Sequence, residues 1–256
     1  MPRYRVTSTN PHFPIWKSCA PTDDPTKKRV IPMLPPAISP SLMCADIFKL
    51  REIIDAFEAG GIEYLHIDVM DGQFVPNFCL DTDYCRRMKA GTSIPLDIHL
   101  MVTEPNEKLK AFPFGPGDFV SVHYESTADV TGALNAIRER GAAAFLAVNP
   151  DTPETVILPF LPLLGGVLLM TVYPGFAGQK MVEGSLEKIA RTRRMLDEAG
   201  RPDCHIEVDG NVNEEKAPLM RRAGADIFVV GTSSVLGPGD LNENIRRMRG
   251  LLAHAL

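Results

Sequence analysis

The chain is poor in cysteine, holds a single tryptophan, and lacks both a long apolar run and an excess of positive charge. Its five cysteines, at 19, 44, 79, 85 and 204, make no C-x-x-C pair and leave an odd count, which argues against a disulfide framework and for reduced thiols. Cys79 and Cys85 match no zinc-ligand spacing, so packing is their simpler role. No stretch approaches the roughly 18 apolar residues of a membrane-spanning helix, and the N-terminus lacks the apolar core of a secretory signal. A cytoplasmic protein with no membrane partner is therefore expected. The net charge of -5, without a basic stripe, gives no electrostatic reason to expect nucleic acid. A small molecule is the expected ligand.

What remains is ordinary globular composition, 45% hydrophobic and 23% charged over 256 residues, enough for one large core. Residues 1–36 hold eight of the 22 prolines and show no sustained periodicity, so a poorly ordered N-terminal arm is expected, with the folded domain spanning 37–256. From Ala37 onward eight short apolar, β-rich runs recur: AISPSLM, YLHIDVM, PLDIHLMV, FVSVHYE, AAFLAVN, GGVLLMTV, CHIEVDG and DIFVVGT. Segments with helical spacing separate most of them, among them DIFKLREIIDAFEAG, DVTGALNAIRERG, SLEKIARTRRMLDEAG and NENIRRMRGLLAHAL. Gly60, Gly141 and Gly200 stand where helix stops are expected. Alternating apolar strands and amphipathic helices imply a parallel sheet covered by helices, and eight such units suggest a (β/α)8 TIM barrel, with an open doubly wound sheet as the lesser alternative.

In a barrel, function gathers at the C-terminal ends of the strands. Those ends carry Ser41, then His66 and Asp68, then His99, and later Asp209. One isolated H-x-D on a strand usually reads as a satisfied core pair. Two histidines and two carboxylates converging from three strands are hard to explain as packing, and they make a set suited to one divalent ion such as Zn, Fe, Co, Mn or Mg. His123 also ends a strand and is read as structural or supporting, whereas His12, His205 and His254 are read as surface or local residues. Glycine-rich strand ends follow in YPGFAGQK, DGNV and GTSS. Glycines let backbone N–H groups approach an anion, and three such loops late in a barrel point to a phosphorylated ligand.

The motifs ISPSLMCAD, HIDVMDGQFVPN, DIHLMV, MTVYPGFAGQK, EVDGNV and VVGTSS together resemble the ribulose-phosphate 3-epimerase family from Ala37 to the C-terminus. Within it, SPSLMC, GFAGQ and VGTS look more like the D-allulose-6-phosphate 3-epimerase branch than like D-ribulose-5-phosphate enzymes. The resemblance implies that His66, Asp68, His99 and Asp209 are metal ligands, with Asp68 and Asp209 doubling as the acid/base pair. It implies substrate contacts for Ser41 and His99, and for Gly175, Phe176, Ala177, Gly178, Gly210, Asn211, Gly231, Thr232 and Ser233. Met43, Met70, Met101 and Met170 resemble the family's methionine lining, although core filling explains any one of them equally well. A homo-oligomer is likewise expected from the resemblance.

The chemistry fits the residues on their own terms. Epimerising a carbon beside a ketone needs one carboxylate to remove its proton and another to return one on the opposite face. The expected activity is thus metal-dependent 3-epimerisation of a ketose phosphate, D-allulose 6-phosphate first and D-ribulose 5-phosphate second. A decarboxylase or hexulose-phosphate lyase would carry lysine where this chain has Met70. A non-catalytic sugar-phosphate binder would have no need of the converging histidines and carboxylates.

Overall fold

The computed structural model describes residues 33–255. Its strands are β1 (Ala37–Pro40), β2 (Leu65–Asp71), the two-residue β3 (Phe78–Cys79), β4 (Leu96–Met101), β5 (Phe119–His123), β6 (Ala143–Val148), β7 (Gly166–Met170), β8 (His205–Asp209) and β9 (Ile227–Val230). β3 folds back antiparallel on β2, and the other eight are parallel in the order β1, β9, β8, β7, β6, β5, β4, β2. A parallel bridge between Ser41 and His66 joins the two ends of that row. The result is the expected (β/α)8 barrel in one domain. Of the expected arm, residues 1–32 lie outside the described residues, and so do Cys19 and His12.

All eight apolar runs are strands, but the first is shorter than its sequence suggests. Pro40 offers no N–H to extend a ladder, and after Ser41 the chain turns into a 3-10 segment, Leu42–Cys44. The helices are α1 (Leu50–Ala59), α2 (Thr82–Gly91), α3 (Pro105–Lys108), α4 (Val130–Glu139), α5 (Ser185–Glu198), α6 (Lys216–Ala223) and α7 (Leu241–Ala253). Between β6 and β7 the connection is a 3-10 helix, Glu154–Leu163, because Pro159 and Pro162 remove donors an α-helix would need. At the end of α1 the left-handed residue is Gly61, one position beyond the expected stop, while Gly60 keeps helical geometry. Among the described residues no helix is long and apolar enough to cross a membrane.

Strand alternation sorts the side chains. On β2 and β4, Leu65, Ile67, Val69, Leu96, Ile98 and Leu100 join the core between barrel and helices. His66, Asp68, Met70, Asp97, His99 and Met101 alternate with them and so face the axis. Aromatic packing closes the N-terminal end of the interior, where Tyr64 lies 4.2 Å and Phe145 4.6 Å from Phe119, ring centre to ring centre. Above that plug the interior turns polar.

Candidate active site

β2 and β4 pair so that His66 lies opposite Asp97 and Asp68 opposite His99. Asp209 ends β8, three places around the ring from β2. One ligand atom from each of His66, Asp68, His99 and Asp209 falls within 4.8 Å of the others. His66 and His99 are fully buried and Asp68 nearly so, while the Asp209 side chain keeps 18% exposure. His66 Nε2 stands 3.3 Å and His99 Nδ1 3.4 Å from Asp68 Oδ1, and neither nitrogen has a hydrogen-bond partner among the described residues. Two buried imidazole nitrogens without partners, aimed at two carboxylates, fit a divalent cation. Cys79 and Cys85 take no part in the cluster, and the four described cysteines are free thiols.

The opposite nitrogens of both histidines are occupied. His66 Nδ1 lies 2.6 Å from Asp97 Oδ2, which also accepts from Ser39 Oγ at 2.8 Å. His99 Nε2 lies 2.8 Å from His123 Nε2. Ser41 Oγ donates to Asp68 Oδ2 at 2.6 Å.

These surroundings pull the two site carboxylates in opposite directions. Burial alone would raise Asp68, but the His66 and His99 imidazoles hold it well below the usual carboxylate range. Burial, reinforced by the charge of Asp68, pushes Asp209 up to about 7. Burial opposes a charge on His66 as well, yet Asp97 and Asp68 prevail and raise it well above its ordinary value. Glu207, fully buried beneath the cluster, is raised by burial and by the charge of Asp97.

The cluster forms one side of a pocket at the C-terminal mouth of the barrel. Every expected substrate residue except His99 lines it, and so do Met43, Met70, Met101 and Met170. His66 and His99 lie beneath the lining. Facing the carboxylates are the loops of residues 175–178, 210–211 and 231–233. Gly210 has φ +119, and a Cβ there would sit 2.6 Å from Val172. Only glycine fits.

Gln179, Tyr173 and Cys44, to which no motif assigns a contact, also line the pocket. Gln179 Nε2 donates to the carbonyls of Tyr173 and Phe176, and its own carbonyl accepts from Asn211 Nδ2, tying two loops together. Its place within the YPGFAGQK motif was the available signal. His205, expected to be local, pairs with Asp226 at 2.5 Å, and His254 is exposed.

A family model described as the ribulose-phosphate 3 epimerase family matches residues 37–235. A ribulose-phosphate 3-epimerase of Bacillus subtilis is 43% identical over 213 residues, covering 83% of this chain and 98% of that one. A chloroplastic ribulose-5-phosphate-3-epimerase of Arabidopsis thaliana is 39% identical over 214 residues, covering 83% and 75%. Among solved structures, orotidine 5'-phosphate decarboxylase from Pyrococcus horikoshii superposes with a TM-score of 0.59 at 16% identity, over 84% of this chain and 99% of that one. That last likeness is one of fold.

Proposed function

The chain belongs to the ribulose-phosphate 3-epimerase family and is an epimerase acting on carbohydrate phosphates, and from that premise we propose that it interconverts D-ribulose 5-phosphate and D-xylulose 5-phosphate. The relatives are named for the five-carbon substrate, which supports this second expectation over the D-allulose 6-phosphate favoured by the motif variants. The observation that carries the chemistry is the pair Asp68 and Asp209, brought from two strands into one cluster that lines the pocket.

One of the two carboxylates, Asp68 or Asp209, removes the C3 proton and the other returns a proton on the opposite face, and the roles exchange for the reverse reaction. Ser41, by donating to Asp68 Oδ2, fixes the direction of that carboxylate. A divalent ion held by His66, Asp68, His99 and Asp209 would supply stabilisation of the negative charge that develops on the substrate oxygens.

No lysine or arginine lines the pocket among the described residues. The phosphate therefore rests on backbone N–H groups of the loops 175–178, 210–211 and 231–233. Met70, where a lyase or decarboxylase would need lysine, packs with Val75 and Met101 beside the carboxylates. A methionine there covers the reacting carbon without offering a proton.

The test is proton-to-deuterium exchange at C3, followed by NMR in heavy water with D-ribulose 5-phosphate and D-allulose 6-phosphate supplied separately to metal-loaded protein. Exchange with inversion on the pentulose supports the reading. Exchange on the hexulose alone would replace the substrate, and exchange on neither would refute the epimerase assignment.

A further inference from the structure

His99 reaches the metal-ligand cluster with Nδ1, while its Nε2 meets another histidine rather than solvent or backbone. That neighbour, His123, is fully buried and its ring stacks on His99 with centres 5.0 Å apart. Its far nitrogen, Nδ1, lies 3.3 Å from Glu125 Oε2. Glu125 is in turn held at the rim of the barrel, its Oε1 accepting from the Asn149 backbone N–H at 2.9 Å and from the Thr152 hydroxyl. The row thus runs from a fixed carboxylate, through two imidazoles, to the cluster.

We propose that Glu125 and His123 are positioning residues that set the tautomer of His99, so that its Nδ1 lone pair points at the metal site. The reading rests on the metal-dependent function proposed above. Two imidazole nitrogens 2.8 Å apart can share a single proton, with one ring donating and the other accepting. A histidine that binds a cation through Nδ1 must carry its proton on Nε2, which makes His99 the donor and His123 Nε2 the acceptor. His123 then carries its own proton on Nδ1, where a carboxylate is the matching acceptor. Each assignment forces the next, and Glu125 is the group that anchors the series. Without its negative charge the row could reverse and leave His99 Nδ1 protonated, facing the site as a donor that cannot bind a cation.

His66 receives the same treatment more directly, since Asp97 meets its Nδ1 without an intervening ring. Carboxylates set behind metal-binding histidines fix ring orientation and raise ligand basicity. The His99 row differs in length, and Glu125 lies at the rim, its side chain 23% exposed.

The experiment measures Zn2+ and Co2+ dissociation constants by competition with a chromogenic chelator, for the full chain and for Glu125→Gln, His123→Phe and His123→Gln. Glu125→Gln and His123→Phe are expected to weaken binding about 10- to 100-fold. His123→Gln, whose amide oxygen can accept from His99 and whose amide nitrogen can donate to Glu125, should recover most of that loss. Melting temperatures of the metal-free proteins report whether a variant is folded. Heteronuclear NMR of the imidazole nitrogens in the unsubstituted protein should find His123 protonated on Nδ1 and His99 on Nε2, a readout that needs no variant. Unchanged metal affinity in Glu125→Gln and His123→Phe, or the reverse tautomers, would overturn the proposal. Failure of the native protein to bind a divalent ion would overturn it together with the metal centre. Tight metal binding without turnover of sugar phosphate would sink the proposed activity while leaving the relay intact.

Discussion

His66 and Asp97 face one another across neighbouring strands, Nδ1 2.6 Å from Oδ2, and both are fully buried. A buried carboxylate paired this closely orients the ring and keeps its Nε2 free for the site. Asp97→Asn is expected to weaken divalent-metal binding about 10- to 100-fold, because an amide can present N–H to the ring and reverse the tautomer. Chelator competition checks the affinity, and equal affinity in variant and native protein would refute the orienting role.

Asp68→Asn and Asp209→Asn should each lower turnover by about 100-fold or more, the usual share of positioned acid–base groups. Coupled-enzyme assays on folded, metal-loaded variants test this. Near-native turnover in either variant would remove the two-carboxylate mechanism.

Asp209 titrates near 7 in the folded chain, far above an unfolded aspartate. The folded state therefore binds more protons than the unfolded state between about pH 4 and 7, and its metal-free stability falls as pH rises through that window. Asp209→Asn has no charge to accommodate there. In urea titrations of the metal-free proteins, the variant should gain stability relative to the native chain from about pH 4 to pH 7. A constant difference across the window would contradict the raised proton affinity.

Metal uptake should be linked to protons in the same region, since a ligating carboxylate must be ionised. Below about pH 7 the affinity should decline and binding should release protons, measurable by calorimetry in buffers of different ionisation enthalpy. Proton release that is unchanged in Asp209→Asn would assign the linkage to another group.

Gly210→Ala places a methyl group 2.6 Å from Val172 at φ +119. The strain should cost about 1–3 kcal/mol in denaturant unfolding and, if the loop holds the phosphate as proposed, raise KM more than it lowers kcat. An unchanged KM would detach Gly210 from phosphate binding.

The barrel was legible because its eight strands are short apolar runs punctuated by helical spacing. The four residues of the candidate metal site were legible for a related reason, since a buried histidine or carboxylate breaks an otherwise apolar strand. What stayed hidden was contact across strands. Asp97 and Glu207 are a histidine's neighbours in space only, and nothing in PLDIHLMV or CHIEVDG says which polar residues meet. His123 at its strand end suggests only a structural or supporting role, and its partner Glu125 acquires meaning only once β5 lies beside β4 and the loop after β6 folds over it. The 3-10 stretch Glu154–Leu163 escaped because its apolar content resembles a helix, whereas its prolines decide the backbone.

The junction between β1 and β2 has a mechanical consequence. Backbone ladders join the other parallel neighbours, but here a single bridge at Ser41 and His66 is reinforced by side chains: Ser41 on Asp68, Ser39 on Asp97, and Glu63 receiving the Ile38 N–H while paired with Arg249. The barrel is thus a strap whose buckle is the candidate active site itself. Amides flanking this joint should exchange with solvent sooner than those of β5 to β7, and whatever engages His66 and Asp68 also tightens the hoop.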